Sequence, residues 1–87
     1  MNIEEYADIL QKEIVIRRYP NQKNRYTASF DGCEVREGGM LSGTYGNSDS
    51  PTNAINDYVA KIKGKTIVFN AMTNDRVDYG VPETLEP

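Results

Sequence analysis

Between Ser50 and Gly64 the chain carries the signals of a helix with a set beginning and a set end. Ser50 stands at the N-cap position, where its hydroxyl can accept a hydrogen bond from an orphan N–H of the first turn. Pro51 follows at the first helical position, where its missing N–H costs nothing. Ala54, Ile55, Tyr58, Val59 and Ile62 recur on one face, and Gly64 supplies the left-handed residue that ends a helix. A helix with one apolar stripe must bury it against another element. These signals constrain the fold far more than the function.

The flanking segments name what the helix packs against. Asn2 with Glu5 three residues on predicts an N-cap pair opening a helix through about Lys12. Ile3, Tyr6, Ala7 and Leu10 form its apolar face, broadened by Ile9. Glu13 to Tyr19 reads as a strand around the β-branched run Ile14-Val15-Ile16, ended by Pro20 and the turn residues Asn21 to Asn24. Arg25 to Phe30 alternates, with Tyr26, Ala28 and Phe30 on one face and Arg25, Thr27 and Ser29 on the other. The apolar phase slips at Asp31-Gly32, because Cys33 and Val35 are odd-numbered. A bulge in one long strand is the reading, with a separate tight turn as the alternative. Gly38-Gly39 predicts a hairpin turn, and Met40 to Gly46 returns as a strand. After Gly64, Thr66 to Phe69 is a short strand on which Val77, Tyr79 and Val81 can pair back.

The expected fold is therefore α+β: an antiparallel meander with two helices on one face, in the order α-β-β-β-α-β with a further C-terminal strand possible. Residues 1–81 form a single domain and 82–87 a loose tail. Hydrophobic residues at 38% and charged residues at 26% fit a globular chain. The formal net charge of −3 argues against a general phosphate-neutralising surface. Cys33 is the only cysteine, which excludes an intramolecular disulfide and points to a reducing cytoplasm. Met1-Asn2-Ile3-Glu4-Glu5 lacks the basic start of a signal peptide, and no apolar run reaches the ~20 residues of a membrane span.

Tyr26-Thr27-Ala28-Ser29-Phe30 followed by Cys33, then Tyr45-Gly46-Asn47-Ser48-Asp49-Ser50-Pro51-Thr52-Asn53-Ala54, resembles the HicB family of antitoxin domains. Those domains carry an alternating strand with an aromatic residue near its end, then a Gly-Asp-Ser/Thr-type loop leading into a helix with alanine in its first turn. The resemblance covers Arg25 to Gly64. It implies a toxin-neutralising type of protein–protein role, and the general cast is similar to small phage and mobile-element accessory proteins. The helix–three strands–helix order also resembles the double-stranded-RNA-binding domain, to which HicB is structurally similar. That family grips phosphates with a lysine-rich start of its second helix. Here Ser50 to Asp57 contains no lysine, so the function does not carry across.

Catalysis draws little from the composition. There is no histidine, the commonest general base and metal ligand, and Cys33 in a strand pattern reads as a buried small hydrophobe. Glu4, Glu5 and Asp8 favour the macrodipole of the first helix, and Asp49 and Asp57 flank the start of the second. Gly43, Gly46 and Gly38-Gly39 lack the following lysine of a phosphate loop and read as strand crowding and turns. No metal or cofactor is expected, and no enzymatic activity.

Two binding readings remain. The first is a protein-binding module, an accessory protein or inhibitor that occludes a basic surface on an unidentified partner. Its hairpin arm would use Arg36, Glu37, Met40 and Leu41, with Tyr79 near the tail. The alternative is nucleic-acid binding through Arg17, Arg18, Lys23 and Arg25, with Arg17 and Arg25 meeting on the open sheet face near Thr27 and Ser29. Sheet edges also make homodimerisation an option, with no membrane partner.

Overall fold

Asn2 opens the first helix as its sequence predicts. In the computed structural model, which describes all 87 residues, Asn2 Oδ1 accepts the Glu5 N–H at 2.8 Å and Glu5 Oε1 accepts the Asn2 N–H at 3.1 Å. This reciprocal box caps α1 (Ile3–Leu10), whose residues Ile3, Tyr6, Ala7 and Leu10 are buried. Gln11 turns left-handed at φ 56° and stops the helix short of Lys12. Ile9 is exposed rather than part of the buried stripe.

Seven strands and a second helix follow: β1 (Ile14–Arg18), β2 (Tyr26–Phe30), β3 (Cys33–Glu37), β4 (Met40–Ser42), β5 (Gly46–Ser48), α2 (Pro51–Ile62), β6 (Thr66–Phe69) and β7 (Val77–Gly80). Every strand pairing is antiparallel. The class is α+β, but the single meander predicted from sequence is two sheets, ordered β1-β2-β5 and β4-β3-β6-β7.

The division falls at the phase slip. The expected bulge at Asp31-Gly32 is a two-residue corner, with Gly32 at φ 66°, and β2 and β3 on either side of it belong to different sheets. The returning strand breaks opposite, between β4 and β5. From Ala28 to Val35 the chain advances seven residues, while their partners Gly46 and Ser42 are four apart. Three extra residues on one side force the ladder to bend. The cause is the change of parity: Ala28 and Phe30 are even, Val35 is odd, and the corner lets both sets face one core.

That core joins both helices to both sheets. Phe30 is its hub, meeting Tyr6, Tyr58 and Phe69 edge to face at centroid distances of 6.3, 6.1 and 5.7 Å. Each such pair adds roughly 0.5–1.5 kcal/mol beyond area burial. Lys12 Nζ lies 4.9 Å from the centroid of the Phe69 ring. The segment 82–87 is not a loose tail. Leu85 is 3% exposed within the core, and the Glu86 N–H donates to the Met1 carbonyl at 3.0 Å, fixing the C-terminus beside α1. One buried leucine in a polar segment is a weak signal in sequence and a strong tether in the fold. No helix is long and apolar enough to cross a membrane.

Candidate functional site

Helix α2 lies unusually close to the three-stranded sheet because Gly46 and Ala28, register partners on the inner face, carry almost no side chain. A Cβ on Gly46 would collide with the Ala54 carbonyl and stand 2.5 Å from the Tyr58 nitrogen and 2.8 Å from Tyr58 Cβ. The sequence reading of Gly46 as strand crowding has this contact as its physical basis. Close approach then lets α2 side chains reach the backbone groups that the sheet leaves unpaired along the β5 side. Asp57 Oδ2 accepts the Asn47 N–H at 2.9 Å, Lys61 Nζ donates to the Tyr45 carbonyl at 3.1 Å, and the Phe30 N–H donates to the Tyr58 hydroxyl oxygen at 3.2 Å. Asp57 and Lys61 are themselves an ion pair at 2.9 Å. Lys61 and the Asn47 N–H together hold the Asp57 carboxyl below the usual carboxylate range. Burial raises the Tyr58 phenol well above its ordinary value.

On the side of the sheets away from the helices, the bend between the two sheets leaves an open groove of about 900 Å³. Val15, Arg17 and Tyr19 line it from β1 and the residue after it, Thr27 and Ser29 form its floor on β2, and Tyr45 and Met72 reach it from loops. Tyr19, Tyr45 and Met72 are exposed, Met72 at 93%. The Tyr45 hydroxyl beside Tyr19 raises the Tyr19 phenol.

The predicted basic group divides here. Arg17 is the register partner of Thr27, and Tyr19 pairs with Arg25 through its N–H at 3.0 Å, so Arg17 and Arg25 do share the open face. Arg18, one residue on, points to the opposite face, and Lys23 lies in the turn that joins β1 to β2. One of the two face arginines has an acid at ion-pair distance. Arg17 lies 4.0 Å from Asp31. Asp49 is held below the carboxylate range by hydrogen bonds from Asn53 and Ser48, with the Arg25 charge adding to them.

The predicted arm is the β3–β4 hairpin, closed by Gly38 and Gly39 at φ 55° and 85°. Arg36 and Leu41 are register partners on its outer face, Glu37 and Met40 on the inner. Most of its charge is already used within the chain. Arg36 lies 3.7 Å from Asp78, which Arg76 also holds at 2.9 and 3.2 Å, and Glu37 pairs with Lys65. Glu34 and Asp78, the register partners of Val68, flank that fully buried valine on the same face. Met40 is 75% exposed. Tyr79 is half-buried and stacked edge to face on Phe69 at 5.9 Å, away from the hairpin tip. Cys33 is half-buried, and desolvation pushes its thiol up to about 11, which keeps it protonated and a poor nucleophile at neutral pH.

Tyr19, Tyr45 and Met72 line the groove but are not among the contacts expected from sequence. Tyr45 precedes the strand that pairs with β2, which places it beside Ser29 only once the register is known. Met72 sits in the β6–β7 loop with no periodicity to mark it. Compared with protein-family models, with curated proteins and with solved structures, the chain matches none of them.

Proposed function

We propose that this chain is a non-enzymatic protein-binding module that seats a segment of a partner protein across the groove of its open sheet face. The observation that carries it is the gathering of exposed Tyr19, Tyr45 and Met72 around a polar strand floor. Tyrosine and methionine are enriched where proteins meet, and their rigid or adaptable apolar bodies supply contact area. Charge supports a polypeptide over a phosphate backbone: the formal net charge is −3, and Arg17 lies 4.0 Å from Asp31. The protonated thiol of Cys33 and the lack of histidine support a role without catalysis. A HicB-like domain is part of the same proposal. If β2–β3 and β4–β5 are taken as two bent strands, the order of elements supports it, and so does the capped α2 after Gly46. An occluding accessory protein or inhibitor working in the cytoplasm is the role that suits such a module.

The test is capture from host lysate, with and without nuclease, using the wild type and the variants Tyr45→Ala, Met72→Ser and Met40→Ser. One protein captured in both conditions, lost with Tyr45→Ala and Met72→Ser and kept with Met40→Ser, is the expected result. Capture abolished by nuclease, or oligonucleotide binding that weakens steeply with salt, would overturn it in favour of the arginines. Loss with Met40→Ser alone would move the contact to the hairpin.

A further inference from the structure

We infer that a second copy of this chain pairs along β1, two-fold about Ile16, to join the two three-stranded sheets into one. The inference starts from the parity of the ladder. The Tyr19 N–H donates to the Arg25 carbonyl and the Asp31 N–H to the Glu13 carbonyl, so odd-numbered residues of this segment turn their backbone groups toward β2. Hydrogen-bonded and open pairs alternate along an antiparallel ladder. The N–H and C=O of Ile14, Ile16 and Arg18 therefore point outward, and no loop or side-chain hydrogen bond reaches them. On the opposite side of the same sheet, Asp57 and Lys61 occupy the corresponding groups of Asn47 and Tyr45. One edge is closed from within the chain and the other is left open.

The open edge is complementary to itself. In an antiparallel pairing centred on Ile16, Ile16 meets Ile16 of the second copy, Ile14 meets its Arg18, and Val15 meets its Arg17. Every outward N–H and C=O of the strand finds a partner, and no like charges stand opposite one another. Glu13 comes to lie beside Tyr19 and diagonal to Arg17 of the second copy. On the inner face, Ile14 and Ile16 line a groove of about 820 Å³ with the acids Glu4 and Asp8 on its α1 side and Lys12 also in its lining. That α1 side is where Arg18 of the second copy would arrive. Ile16, 42% exposed at the edge in the single chain, becomes the centre of a continuous apolar row. Of the three inner-face residues of β1, two are isoleucines, and the one inward charge, Arg18, falls opposite Ile14 of the second copy in this pairing.

Sedimentation and light scattering from 5 to 500 µM, combined with amide exchange, test it. The 9.8 kDa mass should double with concentration, and the amides of Ile14, Ile16 and Arg18 should slow at least tenfold while those of Val15 and Arg17 do not change. A monomer throughout the range would overturn the inference. So would slowing confined to β4 or β7, because the second copy would then sit on another edge. Ile16→Pro removes an outward N–H that the β2 ladder does not use, and should leave a folded monomer. Arg18→Glu, an exposed substitution that keeps the strand intact, should weaken the dimer at least tenfold by setting a carboxylate against the acids of the α1 side. A dimer that survives Arg18→Glu at full strength would also overturn the inference.

Discussion

The two edges of the three-stranded sheet are treated in opposite ways. Along the β5 side, one stretch of α2 supplies Asp57, Tyr58 and Lys61, and these occupy the N–H of Asn47, the N–H of Phe30 and the carbonyl of Tyr45. Along β1, the equivalent groups of Ile14, Ile16 and Arg18 meet no side chain. The difference is spatial before it is chemical. Helix α2 can reach the β5 side only because Gly46, Ala28 and Ala54 let the helix settle onto the sheet. Over the inner face of β1 lies a groove lined by residues of both helices, none of which hydrogen-bonds the strand edge. A sheet edge is thus closed where helix side chains reach its backbone groups, and left available where none does.

Breaking the close approach should have the largest effect. Gly46→Ala puts a methyl group against the Ala54 carbonyl and the Tyr58 backbone, where neither neighbour can turn aside. Overpacking against backbone should cost about 3 kcal/mol or more, which for a domain of this size lowers Tm by roughly 12 °C or beyond. Thermal unfolding followed by circular dichroism measures it; a Tm within a few degrees of the wild type would show that α2 can lift off without loss. Tyr58→Phe comes next. It keeps the ring packed on Phe30 but leaves the buried Phe30 N–H without an acceptor, a cost of roughly 1–3 kcal/mol. Chemical denaturation of the two proteins side by side gives the difference.

Much of this architecture is legible in the sequence, and the parts that are not share a cause. The N-caps of both helices, the Gly38-Gly39 turn and the parity slip at Asp31-Gly32 are local signals, and each falls where its residues place it. What the slip does is not local. The same three extra residues fit a bulge or a corner until the partners of Phe30 and Val35 are known, and those partners lie in two different sheets. Leu85 is hidden for a similar reason, since its burial depends on where α1 and Val81 come to rest. Of the candidate contacts, Arg17 and Arg25 share a face as alternation predicts. The hairpin residues divide between two faces, because the register places Arg36 and Leu41 opposite the face of Glu37 and Met40. Tyr79 is drawn into the core by Phe69, a pairing across strands that no spacing in the sequence reveals.

A smaller effect should come from unplugging the closed edge without moving the helix. Asp57→Ala removes the acceptor of the Asn47 N–H and the partner of Lys61 at a half-exposed site, at a cost of about 1 kcal/mol. The same contact makes a pH prediction. Because the folded-state pKa of Asp57 lies below its unfolded value, its stabilisation is complete above the ordinary carboxylate pKa of about 4. It is lost as pH falls through the lowered value. Tm measured from pH 6 down to 2 should fall more steeply for the wild type than for Asp57→Ala, and the two curves should converge in acid. Parallel curves would mean that the carboxylate contributes nothing to closing that edge.

The smallest expected change in stability is the sharpest test of the contrast. Ile16→Lys places a charge on the inner face of the open edge, where the side chain is already 42% exposed and a lysine can run its methylenes over Ile14 and carry its ammonium to water. No hydrogen bond of the β2 ladder is touched, because the backbone groups of Ile16 point the other way. Its Tm at low concentration should stay within about 4 °C of the wild type, a change of under 1 kcal/mol. Its mass should stay at 9.8 kDa at 500 µM, where two ammonium groups would have to meet at the centre of the paired strands. A large fall in Tm would mean that Ile16 is already at work within the single chain, and that β1 is closed by packing as β5 is closed by hydrogen bonds. The asymmetry between the edges would then be one of means, and the open edge would cease to be an invitation to a second copy.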